Sequence, residues 1–129
     1  MLVDTNVLSE LARPKPLPAV LAWAAEVERF ALSVITLEEL RFGVRVRESA
    51  KLDRWLETLV ATADILPVTA PIAERAADFR AKRHRSGRPV TQADMLIAAT
   101  ASVSGIALAT RNTRDFAGLG LRLVDPFQR

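Results

Sequence analysis

A chain of 129 residues, half of them apolar and 26% charged, has the profile of one soluble globular domain spanning 1–129, not of a fibre or a disordered tail. It has no cysteine and a single histidine, His84, which excludes disulfide frameworks, thiolate zinc sites, cysteine nucleophiles and multi-histidine metal centres. The basic residues number 18, and 15 of these are Arg; this bias suits phosphate, but a net charge of +3 is too small to establish a polyanionic ligand.

Leu2-Val3 is a short apolar run ending at Asp4, and Thr5-Asn6 open a helical stripe of Val7, Leu8 and Leu11, so a buried strand feeds directly into a helix. Pro14, Pro16 and Pro18 make a loop, and Val20, Leu21, Ala24 and Val27 resume helical spacing. Phe30 to Ile35 is a second strand-length run. Thr36 with Glu39 then reads as a capping box opening a helix to about Arg47. Leu52, Trp55, Leu56, Leu59 and Val60 form a strong amphipathic stripe, with Trp55 read as core. Ile65 to Val68 is a third strand, placed at a sheet edge by Pro67. Pro71 suits the first turn of a helix that fades into Arg-rich sequence before Gly87. Thr91 with Asp94 starts a nearly all-apolar, buried helix from Ala93 to Val103, ended by Gly105. Ile106 to Ala109 is a fourth strand, Thr110-Arg111-Asn112 a loop, and Leu121 to Val124 a last strand. Short strands alternating with helices predict an α/β fold with a mainly parallel sheet. The chain shows no basic leader and no apolar run of membrane-spanning length, so the expectation is a cytoplasmic protein without membrane contact.

Four acids fall at element junctions. Asp4 ends the first strand, Glu39 follows the second, Asp94 opens the buried helix and Asp115 follows the fourth strand. In an open parallel sheet, ligand sites form outside the carboxyl ends of the strands. Carboxylates gathered there repel one another, and no lysine lies close in sequence to relieve them. A hard divalent cation, Mg²⁺ or Mn²⁺, would: it takes oxygen ligands, keeps waters and can activate water against a phosphodiester. Each acid alone also reads as an ordinary cap or turn residue; the two readings are compatible, because a capping carboxylate keeps a free oxygen.

At these residues the sequence resembles the PIN-domain family, and within it the VapC-type toxin ribonucleases. The resemblance rests on Leu2-Val3-Asp4-Thr5-Asn6-Val7-Leu8-Ser9-Glu10-Leu11, on Ser33 to Gly43, on Ala93-Asp94-Met95-Leu96-Ile97-Ala98-Ala99-Thr100-Ala101 and on Ala109 to Phe116, which together span nearly the whole chain. It implies a three-layer α/β/α PIN-like fold with a short, mainly parallel central sheet flanked by helices. It implies an endoribonuclease dependent on Mg²⁺ or Mn²⁺, acting as the toxin of a type II toxin–antitoxin system, dimeric and inhibited by a cognate VapB-type antitoxin. The family's acidic quartet falls on Asp4, Glu39, Asp94 and Asp115. Glu38 leaves the register at Glu39 ambiguous, and the motif phase and the capping box favour Glu39. On this reading Asp4 and Asp94 contact the metal and Glu39 and Asp115 complete the site, directly or through waters, with one metal or two.

Asn6, Thr110 and Asn112 are candidates to hydrogen-bond the metal-binding acids, beside an equally simple role in turns and caps. Arg80, Lys82, Arg83, Arg85 and Arg88 form an acid-free basic stretch suited to RNA phosphates, or to a solvated helix C-terminus. Arg41, with Arg45 and Arg47, offers a second basic face near Glu39. His84 reads as a solvated helix residue, and Phe127 has no readable role. A receiver-like phosphoacceptor would need an acidic pair after the first strand, and a haloacid-dehalogenase-type phosphatase a second Asp where Asn6 stands. A non-catalytic PIN-like binding module and a DNA-directed PIN nuclease are the remaining alternatives.

Overall fold

Two apolar residues suffice for the central strand, because both faces of it are covered. In the computed structural model, which describes residues 1–128, β1 (Leu2–Val3) sends Leu2 into one apolar cluster and Val3 into another. The same alternation holds for Ala31 and Leu32 in β2 (Ala31–Ser33), Leu66 and Ile65 in β3 (Asp64–Leu66), Leu108 and Ala109 in β4 (Leu108–Ala109), and Leu123 and Val124 in β5 (Leu123–Val124). The described residues form one five-stranded sheet in the order β3-β2-β1-β4-β5, every pair parallel. The sheet is wholly parallel, and Asp64–Leu66 is an edge strand with Pro67 just beyond it.

Helices cover both faces, giving the three-layer α/β/α fold. One face packs against α1 (Thr5–Leu11), α2 (Pro18–Glu26), α3 (Val34–Arg47) and α4 (Ala50–Thr62), through Val7, Leu8, Val20, Trp23, Leu40, Val44 and Leu56. The other packs against α5 (Ala70–Arg85), α6 (Gln92–Ser104) and the one-turn helix α7 (Thr113–Phe116), through Ile72, Ala76, Phe79, Met95, Ile97 and Phe116. Burying each of these large side chains contributes about 1.5–3 kcal/mol. No helix is long and apolar enough to cross a membrane, among the described residues.

Several local expectations need correction. The second apolar run does not stay extended to Ile35: Ser33 caps α3, its hydroxyl accepting from the Ile35 N–H at 3.1 Å, so the helix starts at Val34. Thr36 is therefore buried in the first turn rather than capping it, and its hydroxyl is left without a partner. In α2 the buried aromatic is Trp23, stacked on Phe30, whereas Leu21 faces outward. Phe127 does have a role: it lies in a terminal 3₁₀ turn (Pro126–Gln128), packs on the α2-side cluster and carries the Arg111 guanidinium 4.7 Å over its ring. Trp55 is partly buried against the same cluster.

Candidate functional site

The strand order reverses between β1 and β4, so a crevice opens at their carboxyl ends. Asp4 stands there, held in the sheet by its N–H to the Ala109 carbonyl at 2.9 Å. Its carboxylate is 4% exposed and takes three donors: the Thr5 N–H at 2.7 Å, the Thr110 hydroxyl at 2.7 Å and the Asn6 amide at 3.3 Å. Thr110, wholly buried, continues β4 by donating its N–H to the Val124 carbonyl. Asn6 also spans the crevice, its amide oxygen accepting from the Arg111 N–H at 3.2 Å. Asn112 reaches Thr110 only through its backbone N–H, at 3.1 Å, and its side chain does not cap α7.

Glu39 enters from the second turn of α3 and accepts from the Thr5 hydroxyl at 2.8 Å. Thr5 thus ties two acids together, one by its backbone and one by its side chain, whereas in the sequence alone it marks only the start of a helix. Glu38 points elsewhere, lining a separate cavity with Val34, Leu37 and Phe42. The position of Glu39 owes nothing to a capping box, since α3 is capped three residues before Thr36. Asp94 lies in the first turn of α6, where Thr91 caps the helix by accepting from the Asp94 N–H at 3.1 Å. Asp115 is exposed on α7.

These carboxylates feel one another. Burial pushes Asp4 above the ordinary carboxylate range; hydrogen bonds from Thr110 and Thr5 oppose this, and the charges of Asp94 and Glu39 add to it. Asp94 is also raised, first by burial and then by Asp115, against the Thr91 hydrogen bond. Other acids on the molecule have cationic partners: Glu10 with Arg13, Asp64 with Arg29, Asp53 and Glu57 with Arg41. None of the quartet has one, among the described residues. No three acidic or histidine side chains stand as a ready-made metal cage among the described residues. The donors are all oxygens, and a buried carboxylate repelled by its neighbours fits a hard cation that binds one or two carboxylates and keeps its waters.

The basic residues divide. Arg83 is buried, and its guanidinium donates to the carbonyls of Asp115, at 3.0 Å, and of Ala117. Lys82 reaches the Gly118 carbonyl at 2.8 Å and Arg88 the Arg114 carbonyl at 3.3 Å. Arg83 is thus no surface cation for RNA, and Lys82 is occupied beside it; both hold the segment that carries Asp115. The signal was present in the helical phase, since Arg83 continues the buried stripe of Ile72, Ala76 and Phe79. Arg41 is not free either: it bonds Asp53 at 3.2 Å and Glu57 at 2.8 Å on α4. Arg80, Arg85 and Arg88 are exposed.

Fold and site together define a parallel-sheet α/β protein with an acidic crevice at its switch point. The sequence profile of the PIN domain matches residues 1–120. The chain is 38% identical to VapC ribonuclease Y4jK of Sinorhizobium fredii, over 99% of this chain and 98% of that protein. It is 35% identical to Toxin FitB of Neisseria gonorrhoeae, over 98% of each. The crystal structure of FitAcB from Neisseria gonorrhoeae matches it with a TM-score of 0.88 at 34% identity, covering 99% of both chains. The chain belongs to the PIN-domain family, and within it to the VapC type.

Proposed function

We propose that this chain is an endoribonuclease of the toxin–antitoxin kind, hydrolysing RNA phosphodiester bonds with Mg²⁺ or Mn²⁺. The observation that carries the reading is that the charges of four carboxylates at the switch-point crevice act on one another, with no ion pair to any of the four among the described residues. The names of the relatives, a VapC ribonuclease and a toxin, support it. Asp4 and Asp94 would hold the cation, and Glu39 and Asp115 would complete its surroundings. Bound there, a hard divalent cation supplies a lowered pKa for an attacking water and a positive charge for the departing oxygen. Thr110, Thr5 and Asn6 fix the Asp4 carboxylate in one orientation, so no reorganisation is needed when substrate arrives. Thr5 sets Glu39 at the same time. The reading includes a VapB-type antitoxin as partner, a homodimer and action in the cytoplasm.

The test is incubation of the purified chain with structured and single-stranded RNA and DNA, in Mg²⁺, Mn²⁺ or chelator, beside Asp94→Asn. RNA should be cut only with the cation, and not by the variant. Cleavage that survives chelation overturns the metal mechanism, and cleavage confined to DNA overturns the substrate.

A further inference from the structure

Much of the arginine-rich surface is already engaged. Arg13, Arg29 and Arg41 face carboxylates, Arg75 bonds the Ser102 hydroxyl and Arg111 lies on Phe127. The C-terminal end of α5 differs. Its buried stripe ends in Arg83, while Arg80 and His84, one turn apart, and Arg85 are exposed. Among the described residues the side chains of these three have no hydrogen-bond or ion-pair partner.

The chain then folds back on this end of the helix. Gly87 takes φ +67°, its N–H bonds the His84 carbonyl at 3.0 Å, and the Arg88 N–H bonds the Arg83 carbonyl at 3.0 Å, a Schellman termination. These bonds satisfy the Arg83 and His84 carbonyls, two of those left free at the helix end. The reversal brings Arg88, Pro89 and Val90 beside Arg80, His84 and Arg85 around a cavity of about 450 Å³ with no acid in its lining. Arg88 also bonds the carbonyl of Arg114, the residue before Asp115. The cavity is therefore tied to the acidic crevice through that residue.

We propose that this cavity binds backbone phosphates of the RNA strand on the Asp115 side of the crevice, an inference that rests on the ribonuclease reading above. Guanidinium forks match phosphate oxygens in pairs, and three arginines with an imidazole donor and no competing carboxylate form a polyanion site. The Ala81, Pro89 and Val90 surfaces give a sugar an apolar floor.

The test measures binding of a single-stranded RNA oligonucleotide in chelator, in an Asp4→Asn background so that the strand stays intact. Arg80→Gln/Arg85→Gln should weaken binding about tenfold near 0.1 M salt and flatten the salt dependence by about one unit of log–log slope. The control is Lys51→Gln/Arg54→Gln, which removes two exposed charges from α4 and should change neither by more than a small factor. Equal losses in both pairs, or no loss in the first, overturn the proposal. Cleavage by the unsubstituted chain is followed in parallel. A chain that cuts no RNA overturns the function, whereas one that cuts RNA and binds it undiminished after the first double substitution overturns only the cavity.

Discussion

Asp4 is at once a helix cap, a crossbar between β1 and β4, and the most buried acid of the crevice. Its carboxyl titrates above the ordinary carboxylate range, so between the unfolded-state value and the raised one the folded chain holds a proton that the unfolded chain releases. The cost of burying the charge is absent below the unfolded-state value, grows as pH rises from it to the raised value and is constant above. In chelator, the melting temperature of the parent relative to Asp4→Asn should therefore fall as pH is raised from about 4 to about 7. Calorimetry on both chains checks this, and a flat difference would count against the assignment of the shift to Asp4. Asp4→Asn should also abolish metal-dependent cleavage while keeping the fold. Thr5→Val removes the bond to Glu39 but leaves the backbone bond to Asp4, so cleavage should drop about tenfold, with Thr5→Ser restoring most of it. Asp4, Asn6 and Thr110 could be picked out in the sequence because they are polar residues at strand ends. The Thr5–Glu39 pair could not, because 34 residues separate its members and nothing local requires them to meet.

The elements α5 and α7 act as one device. Lys82, Arg83 and Arg88 donate to carbonyls of residues 114–118, and these bonds fix the short helix that presents Asp115. A four-residue helix has too few internal bonds to stand alone. Arg83→Met should cost about 2–3 kcal/mol in chemical denaturation, because it removes the charged donors that the buried guanidinium gives to the Asp115 and Ala117 carbonyls. It should also lower cleavage more than Lys82→Met does, since Lys82 is exposed and bonds a carbonyl three residues beyond Asp115. The longer elements were legible from period and caps: α4 from its apolar stripe, and α6 from Thr91 and Gly105. The α7 turn was not, since Asn112 makes no side-chain cap and four residues carry no period. The start of α3 is ambiguous in the sequence because Ser33 and Thr36 are both good caps; both are buried, and the helix uses Ser33.

At the scale of the molecule, strand order puts the crevice between β1 and β4, while α3, α6 and α7 bring one acid each to it. The small net charge hides this segregation, because four acids share the crevice while three arginines and a histidine line a cavity with no acid in it. A cation that relieves the acids binds only the folded chain. Mg²⁺ at about a hundred times its dissociation constant should add about 2.7 kcal/mol of stability, visible as a rise of several degrees in Tm. Asp4→Asn and Asp94→Asn should lose that rise, and sodium chloride of equal ionic strength should not reproduce it. The α/β class and the parallel sheet were readable because each short strand is followed by a helix before the next. The order of the strands was not readable, since it depends on which edges pair across long separations.

The bond between Asp4 and Thr110 joins residues 106 positions apart. At ribosomal speeds of about 5–20 residues per second, Asp4 is made roughly 5–20 s before its partner. The central strand likewise waits for β4, the neighbour that closes its second edge. Throughout that interval the crevice lacks its β4 wall, so the acidic site is completed only after Asp115 has been made.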